Sequence, residues 1–197
     1  MTGTSHRLGG VLAGLATIAL MKTPDIQTQG IILASAVIGS LLPDIDNAQS
    51  SISYKIPLVR GIVGLFQGAI KLLAGLLPKK QERFIRSAIG HRGITHSLVF
   101  ALIMPGIIII FGHMFSNLYI FPAALGMMVG ILSHILLDLF SNGVPLFLPF
   151  SNKRTTGARI KTGGVAEWLI RIVIIYIALV IVGPWFNDLM ATYNISF

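Results

Sequence analysis

Three stretches leave this chain almost no choice of solvent: "LVFALIMPGIIIIFGHMF" at 98–115, "LYIFPAALGMMVGILSHILLDLF" at 118–140 and "VAEWLIRIVIIYIALVIVGPW" at 165–185. Each is close to the roughly 20 apolar residues that a membrane-crossing helix requires. In hydrocarbon a segment must satisfy its own backbone hydrogen bonds, so each is expected as a helix. The composition agrees. Charged residues make up 11% of the 197 and hydrophobic ones 54%, whereas a soluble domain carries about 25% charged residues. The expectation is an all-α integral membrane protein forming a single domain over 1–197. There is no cysteine, so any metal must be held by nitrogen and oxygen. Met1–Arg7 does not read as a signal peptide, because no small-residue cleavage site and polar mature segment follow it.

Five spans are expected: Leu8–Met21, Gly30–Leu42, Leu98–Phe115, Leu118–Phe140 and Val165–Trp185. The first two are short and read as a helical hairpin packed on the others. Pro105 is expected to kink the third. Between the second and third lies Pro57–Leu77, where Arg60, Gln67 and Lys71 fall within about 40° on a helical wheel. This reads as an amphipathic helix in the membrane interface, followed by the basic cluster Lys79, Lys80, Arg83 and Arg86. The alternative is a sixth span with its polar stripe turned inward. Five spans put Arg7, Lys55, Arg60, Lys71, Lys79, Lys80, Arg83, Arg86, Arg92, Lys153, Arg154, Arg159 and Lys161 on one side and Lys22 alone on the other. Thirteen against one places the basic side, and the amino terminus, in the cytoplasm. The same rule accounts for the net charge of +8, so no nucleic-acid partner is expected. The sequence leaves the oligomeric state open.

The rare polar groups of such a chain are costly and need partners. On this topology His6, Asp44, Asp46, His91, His96, His134, Asp138 and Glu167 all fall at the cytoplasmic membrane level, on five segments. They are four of the five histidines and four of the seven acidic residues; His113 maps to the opposite face. His134 and Asp138 are one helical turn apart and share a face. Pro43 ends the preceding helix and starts the "PDID" turn, whose alternate carboxylates can reach one ion or bridge two. Gly93 allows a turn that points His91 and His96 the same way. Each group alone has a plain explanation. His134–Asp138 can be a hydrogen-bonded pair between helices, "PDIDN" a helix stop, His6 an interface residue, and Glu167 an i,i+4 partner of Arg171. Their coincidence at one depth points to a metal site.

The segments "SHRLGG" (5–10), "GSLLPDIDN" (39–47), "GHRGITHS" (90–97) and "SHILLDLFSNGVPLFLPF" (133–150) resemble the predicted membrane-bound metal-dependent hydrolases of bacteria and archaea, which include LexA-regulated inner-membrane proteins. The resemblance implies an inner-membrane location and metal-dependent hydrolysis. The order of ligands is also similar to that of zinc phospholipases C and related nucleases.

The expected function is therefore a phosphoesterase or phospholipase acting on a membrane lipid. Two or more divalent ions, Zn²⁺ first and Mn²⁺ or Fe as alternatives, would be held by the eight ligands. Glu167, Asp46 and Arg92 are the expected catalytic groups, Arg92 as the phosphate-neutralising charge. Ser97, Ser133, Ser141 and Asn142 are candidates to support the ligands. The alternatives are an amide or ester hydrolase on the same centre, and a metal-ion or small-solute transporter, whose ligands would lie nearer the bilayer midplane.

Overall fold

A computed structural model of the chain describes residues 1–22, 25–46, 57–90, 92–114 and 118–192. Its helices are α1 (Gly3–Met21), α2 (Ile26–Gly39), α3 (Pro57–Ala74), α4 (Lys79–Ala88), α5 (Leu98–Met114), α6 (Ile120–Leu139) and α7 (Val165–Thr192), with 3-10 turns at Leu42–Asp46 and Ile94–His96. Among the described residues the β pairing amounts to one bridge between Val144 and Thr155. Each of the five expected spans is a helix. α6, and α7 over Val165–Pro184, are long and apolar enough to cross a membrane; α2 and α5 are apolar but shorter.

Helix boundaries depart from the apolar runs where polar residues can serve as helix ends. α1 begins at Gly3 rather than Leu8, because the unsatisfied N–H groups of a first turn tolerate polar side chains. α2 begins at Ile26 under Asp25, whose carboxylate accepts from the N–H groups of Gln27 and Thr28, a side-chain N-cap. α5 runs through Pro105. The basic cluster is itself helical, as α4, and the expected interfacial helix is α3, ending at Ala74.

α6 is the central helix. It packs against α1, α2 and α5, and α7 packs on α1. The α6 face toward α2 is opened by glycine: a Cβ at Gly126 would overlap the Ile32 carbonyl, and one at Gly130 the Ala36 carbonyl. Without side chains there, two helix backbones can nearly touch, a common way for helices to associate in lipid. Gly126, Gly130, His134 and Asp138 repeat every four residues, so the face that admits α2 continues into the polar pair. Ile131 and Ile135, on the neighbouring face, bury with Ala101 and Val144.

Away from this seam the apolar surface faces outward. On α7, Trp168, Val173, Tyr176, Leu179 and Val180 are exposed, as are Leu102, Ile110 and Phe111 on α5. Water does not tolerate so wide an apolar belt. α3 leaves Leu65, Leu72 and Leu73 exposed, as the turn after it leaves Leu76, and α3 packs on α4 and on the Leu42–Asp46 turn.

Candidate metal centre

Five predicted ligands meet at one end of the helix bundle. They come from the start of α1 (His6), the turn after α2 (Asp44), the turn before α5 (His96) and the last two turns of α6 (His134, Asp138). His6, Asp44 and His134 form one group of ligand atoms lying within 4.8 Å of each other; His96, His134 and Asp138 form a second. His134 belongs to both. His6, His96, His134 and Asp138 are almost wholly buried, and Asp44, with a side chain 20% exposed, is the most open of the five.

The spacing is close to that of ligands around one small cation. The Nε2 atoms of His96 and His134 are 3.2 Å apart. Asp138 Oδ2 lies 3.5 Å from His96 Nε2 and 3.8 Å from His134 Nε2, and Asp44 Oδ1 lies 3.7 and 3.8 Å from the same two nitrogens. Ligands bound tetrahedrally about 2.0–2.1 Å from Zn²⁺ sit about 3.3–3.4 Å from one another. The histidine orientation also fits. His134 Nδ1 donates to the Ser40 carbonyl at 2.7 Å, which fixes the proton on Nδ1 and leaves the Nε2 lone pair facing the centre. That bond exists because Gly130 lets the end of α2 come so close. His96 Nδ1 is 3.0 Å from the Thr95 hydroxyl. His6 stacks on His134 with ring centroids 3.6 Å apart, and neither of its buried nitrogens has a hydrogen-bond partner. Buried nitrogens are rarely left so without reason. The residues present fit a divalent cation bound by nitrogen and oxygen.

Cationic groups of the chain surround Asp138. Arg92 Nη2 donates to Oδ1 at 3.0 Å, and Arg92 Nε lies 2.9 Å from Oδ2, in ion-pair contact but off the hydrogen-bond direction. The Met1 ammonium is 2.6 Å from Oδ1, and the Ser141 hydroxyl donates to it at 3.1 Å. Arg92 Nη1 is buried and unpartnered. Arg92, not Gly93, takes the left-handed conformation of this turn, at φ 58°; Gly93 is needed because a Cβ there would overlap the Ala88 carbonyl. Burial raises the Asp44 carboxyl pKa, but the adjacent His96, His134 and His6 outweigh this and lower it to about 2.

The other expected groups are not all described, and those that are stand outside the cluster. His91 lies outside the described residues, as does the side chain of Asp46. Glu167 is fully buried but stands in neither ligand group. Its Oε1 accepts from Thr2 N (2.7 Å), Thr2 Oγ1 (2.8 Å) and Ser5 Oγ (2.5 Å), with Arg171 Nη2 at 3.3 Å, and its Oε2 accepts from Gly163 N at 2.6 Å. The i,i+4 partnership with Arg171 is thus present, within a larger network that sequence spacing does not reveal. Ser141 does support Asp138, whereas Ser97 and Ser133 bond to the Ile94 and Gly130 carbonyls, and Asn142 is exposed. His113 is exposed near the far end of α5.

Comparison with known proteins agrees on the setting. The chain is 29% identical over 173 residues to the uncharacterized protein YvsG of Bacillus subtilis (strain 168), covering 86% of this chain and 87% of that one. It is 32% identical over 157 residues to the inner membrane protein YdjM of Escherichia coli (strain K12), covering 76% of this chain and 66% of that protein. A third relative, the inner membrane protein YbcI of the same organism, is 38% identical over 68 residues, 33% of this chain and 39% of that protein. No solved structure matches. Residues 1–195 match the family described as YdjM inner membrane protein, and the chain belongs to that family of membrane proteins.

Proposed function

We propose that this chain is a metal-dependent hydrolase working at the cytoplasmic face of the membrane, with a phosphoester of a membrane lipid as its substrate. The observation that carries the reading is the meeting of His6, Asp44, His96, His134 and Asp138, from four separate segments, in one buried cluster beside Arg92. These five residues would hold one or two divalent ions, Zn²⁺ first by the ligand types; His91 and Asp46 remain candidates to complete the shell. A bound ion would supply an activated water and polarise a phosphoryl oxygen.

The chain's own groups account for the rest. Ser40 orients His134 through its carbonyl, and Ser141 orients Asp138. Arg92 keeps one arm on Asp138 and has Nη1 free of partners, so it can meet a phosphoryl oxygen without leaving the carboxylate. Asp44 marks the open side. The exposed leucines of α3 and the basic residues of α4 suit a headgroup layer, with α3 lying in the interface. The positive-inside bias and helices at all five expected spans support a multi-pass chain with a cytoplasmic amino terminus.

Metal analysis of the detergent-purified protein, followed by hydrolysis of a phospholipid and lipid-phosphate panel with and without chelator, tests the reading. Stoichiometric metal and chelator-sensitive phosphoesterase activity are expected. Arg92→Ala should keep the metal and cut the rate about 10²-fold, as loss of a group stabilising transition-state charge does. Protein that holds metal, hydrolyses no lipid ester or phosphoester and moves the ion across liposomes would overturn it in favour of transport.

A further inference from the structure

The three histidines of the cluster are not held alike. His134 is fixed by the Ser40 carbonyl and His96 faces the Thr95 hydroxyl. His6 has no hydrogen bond on either nitrogen; its Nε2 lies 3.4 Å from Asp138 Oδ1 and its ring stacks on His134, contacts that depend on where the start of α1 puts it. The amino end of α1, which carries His6, is held by a network on α7. Thr2, the N-cap of α1, makes no side-chain cap within its own helix; instead its N–H and its hydroxyl both go to Glu167. Ser5, one residue before His6, also donates to Glu167 and accepts from Arg171 Nε at 2.8 Å. Arg171 Nη2 reaches the Thr2 hydroxyl at 2.7 Å. A carboxylate at a helix start is favoured by the helix dipole and by the unsatisfied N–H groups there. Glu167 also reaches back over the start of its own helix to Gly163 N, as a capping-box carboxylate does. One side chain thereby ties the amino ends of two helices.

We infer that Glu167 is a positioning residue: from α7 it caps α1 through Thr2 and Ser5, and so holds His6 in register against His134 and Asp138. The inference rests on the metal reading above for its consequence, but the positioning itself is independent of any ion. It differs from a ligand role for Glu167 in a measurable way, because a residue that acts only through His6 has nothing left to do once His6 is gone.

The test uses the full-length protein in detergent as wild type, Glu167→Gln, His6→Ala and the double variant, with Zn²⁺ affinity measured by competition with a chromophoric chelator. Glu167→Gln should weaken Zn²⁺ about 10- to 100-fold, the usual effect of a group that orients a ligand. The double variant should bind no more weakly than His6→Ala. Losses that multiply would overturn the inference, as would wild-type affinity in Glu167→Gln. Should wild type bind no Zn²⁺, the metal reading fails and His6 itself is read. Carbethoxylation of His6, followed by mass spectrometry, should be faster in Glu167→Gln than in wild type, with His113 unchanged as reference. Equal His6 rates would sink the inference. If Glu167→Gln does not fold, Ser5→Ala, which removes one bond of the network, should show the same direction in both measurements, and no change in either would count against it.

Discussion

Asp138 is the residue on which most of the cluster depends. Two histidine nitrogens face its Oδ2, and Arg92 spans both of its oxygens. Removing it takes away a proposed metal ligand and leaves a buried guanidinium without its counter-charge. Asp138→Ala is therefore expected to lose bound metal and about 3–5 kcal/mol of stability, as breaking a buried pair from one side does. His113→Ala, near the far end of α5, should change neither. Metal content and thermal unfolding of the two variants decide this, and loss of metal in His113→Ala would break the argument from depth. His134 and Asp138 were legible in the sequence because a four-residue interval inside an apolar helix admits one geometry. Glu167 was not, because the partners that claim it, Thr2 and Ser5, lie over 160 residues away in sequence. Its nearest spacing signal, Arg171, was readable as a pair and gave no sight of the rest. Arg92 was legible as a charge near the site, but not its grip on Asp138.

At the scale of elements, helix contact is set by what is missing from α6. Gly130→Ala should cost about 1–3 kcal/mol, since the added methyl meets backbone that cannot yield. It should also weaken metal binding by pushing the Ser40 carbonyl away from His134. Gly106→Ala, with open space around its Cβ, should leave the melting temperature unchanged or raised. Equal effects would refute the close packing of α2 on α6. The start of α2 offers a pH test. The hydroxyl and N–H of Thr28 hold the exposed Asp25 carboxyl below its ordinary value. A carboxyl with a folded pKa below its unfolded one adds stability above the unfolded value, and that stability is lost as pH falls through the folded one. Asp25→Ala should thus lower the melting temperature at neutral pH and have a vanishing effect in strong acid; a pH-independent difference would exclude capping. Apolar runs made the helices legible but not their ends. α1 starts five residues before its run, and α4 is hidden in "KKQERFIRS" because a short polar helix carries no membrane signal.

For the whole molecule, the absence of cysteine from the sequence makes topology directly measurable. A single cysteine at Lys153 should be labelled only from the cytoplasmic side and one at Lys22 only from the other, by the positive-inside bias. Labelling of both from one side would remove the five-span arrangement and restore the sixth span at 57–77. The lengths of the helices carry one more consequence. α2 has 14 residues and α7 has 28, about 21 Å and 42 Å at 1.5 Å per residue, against a hydrocarbon layer of about 30 Å. On the proposed topology the bilayer meets a long wall on one flank and a short one on another. Lipid accommodates such a mismatch by thinning beside the short helix. The dimple would lie where α2 runs out, next to the turn that carries Asp44, and there the membrane itself would lower its headgroups toward the open side of the cluster.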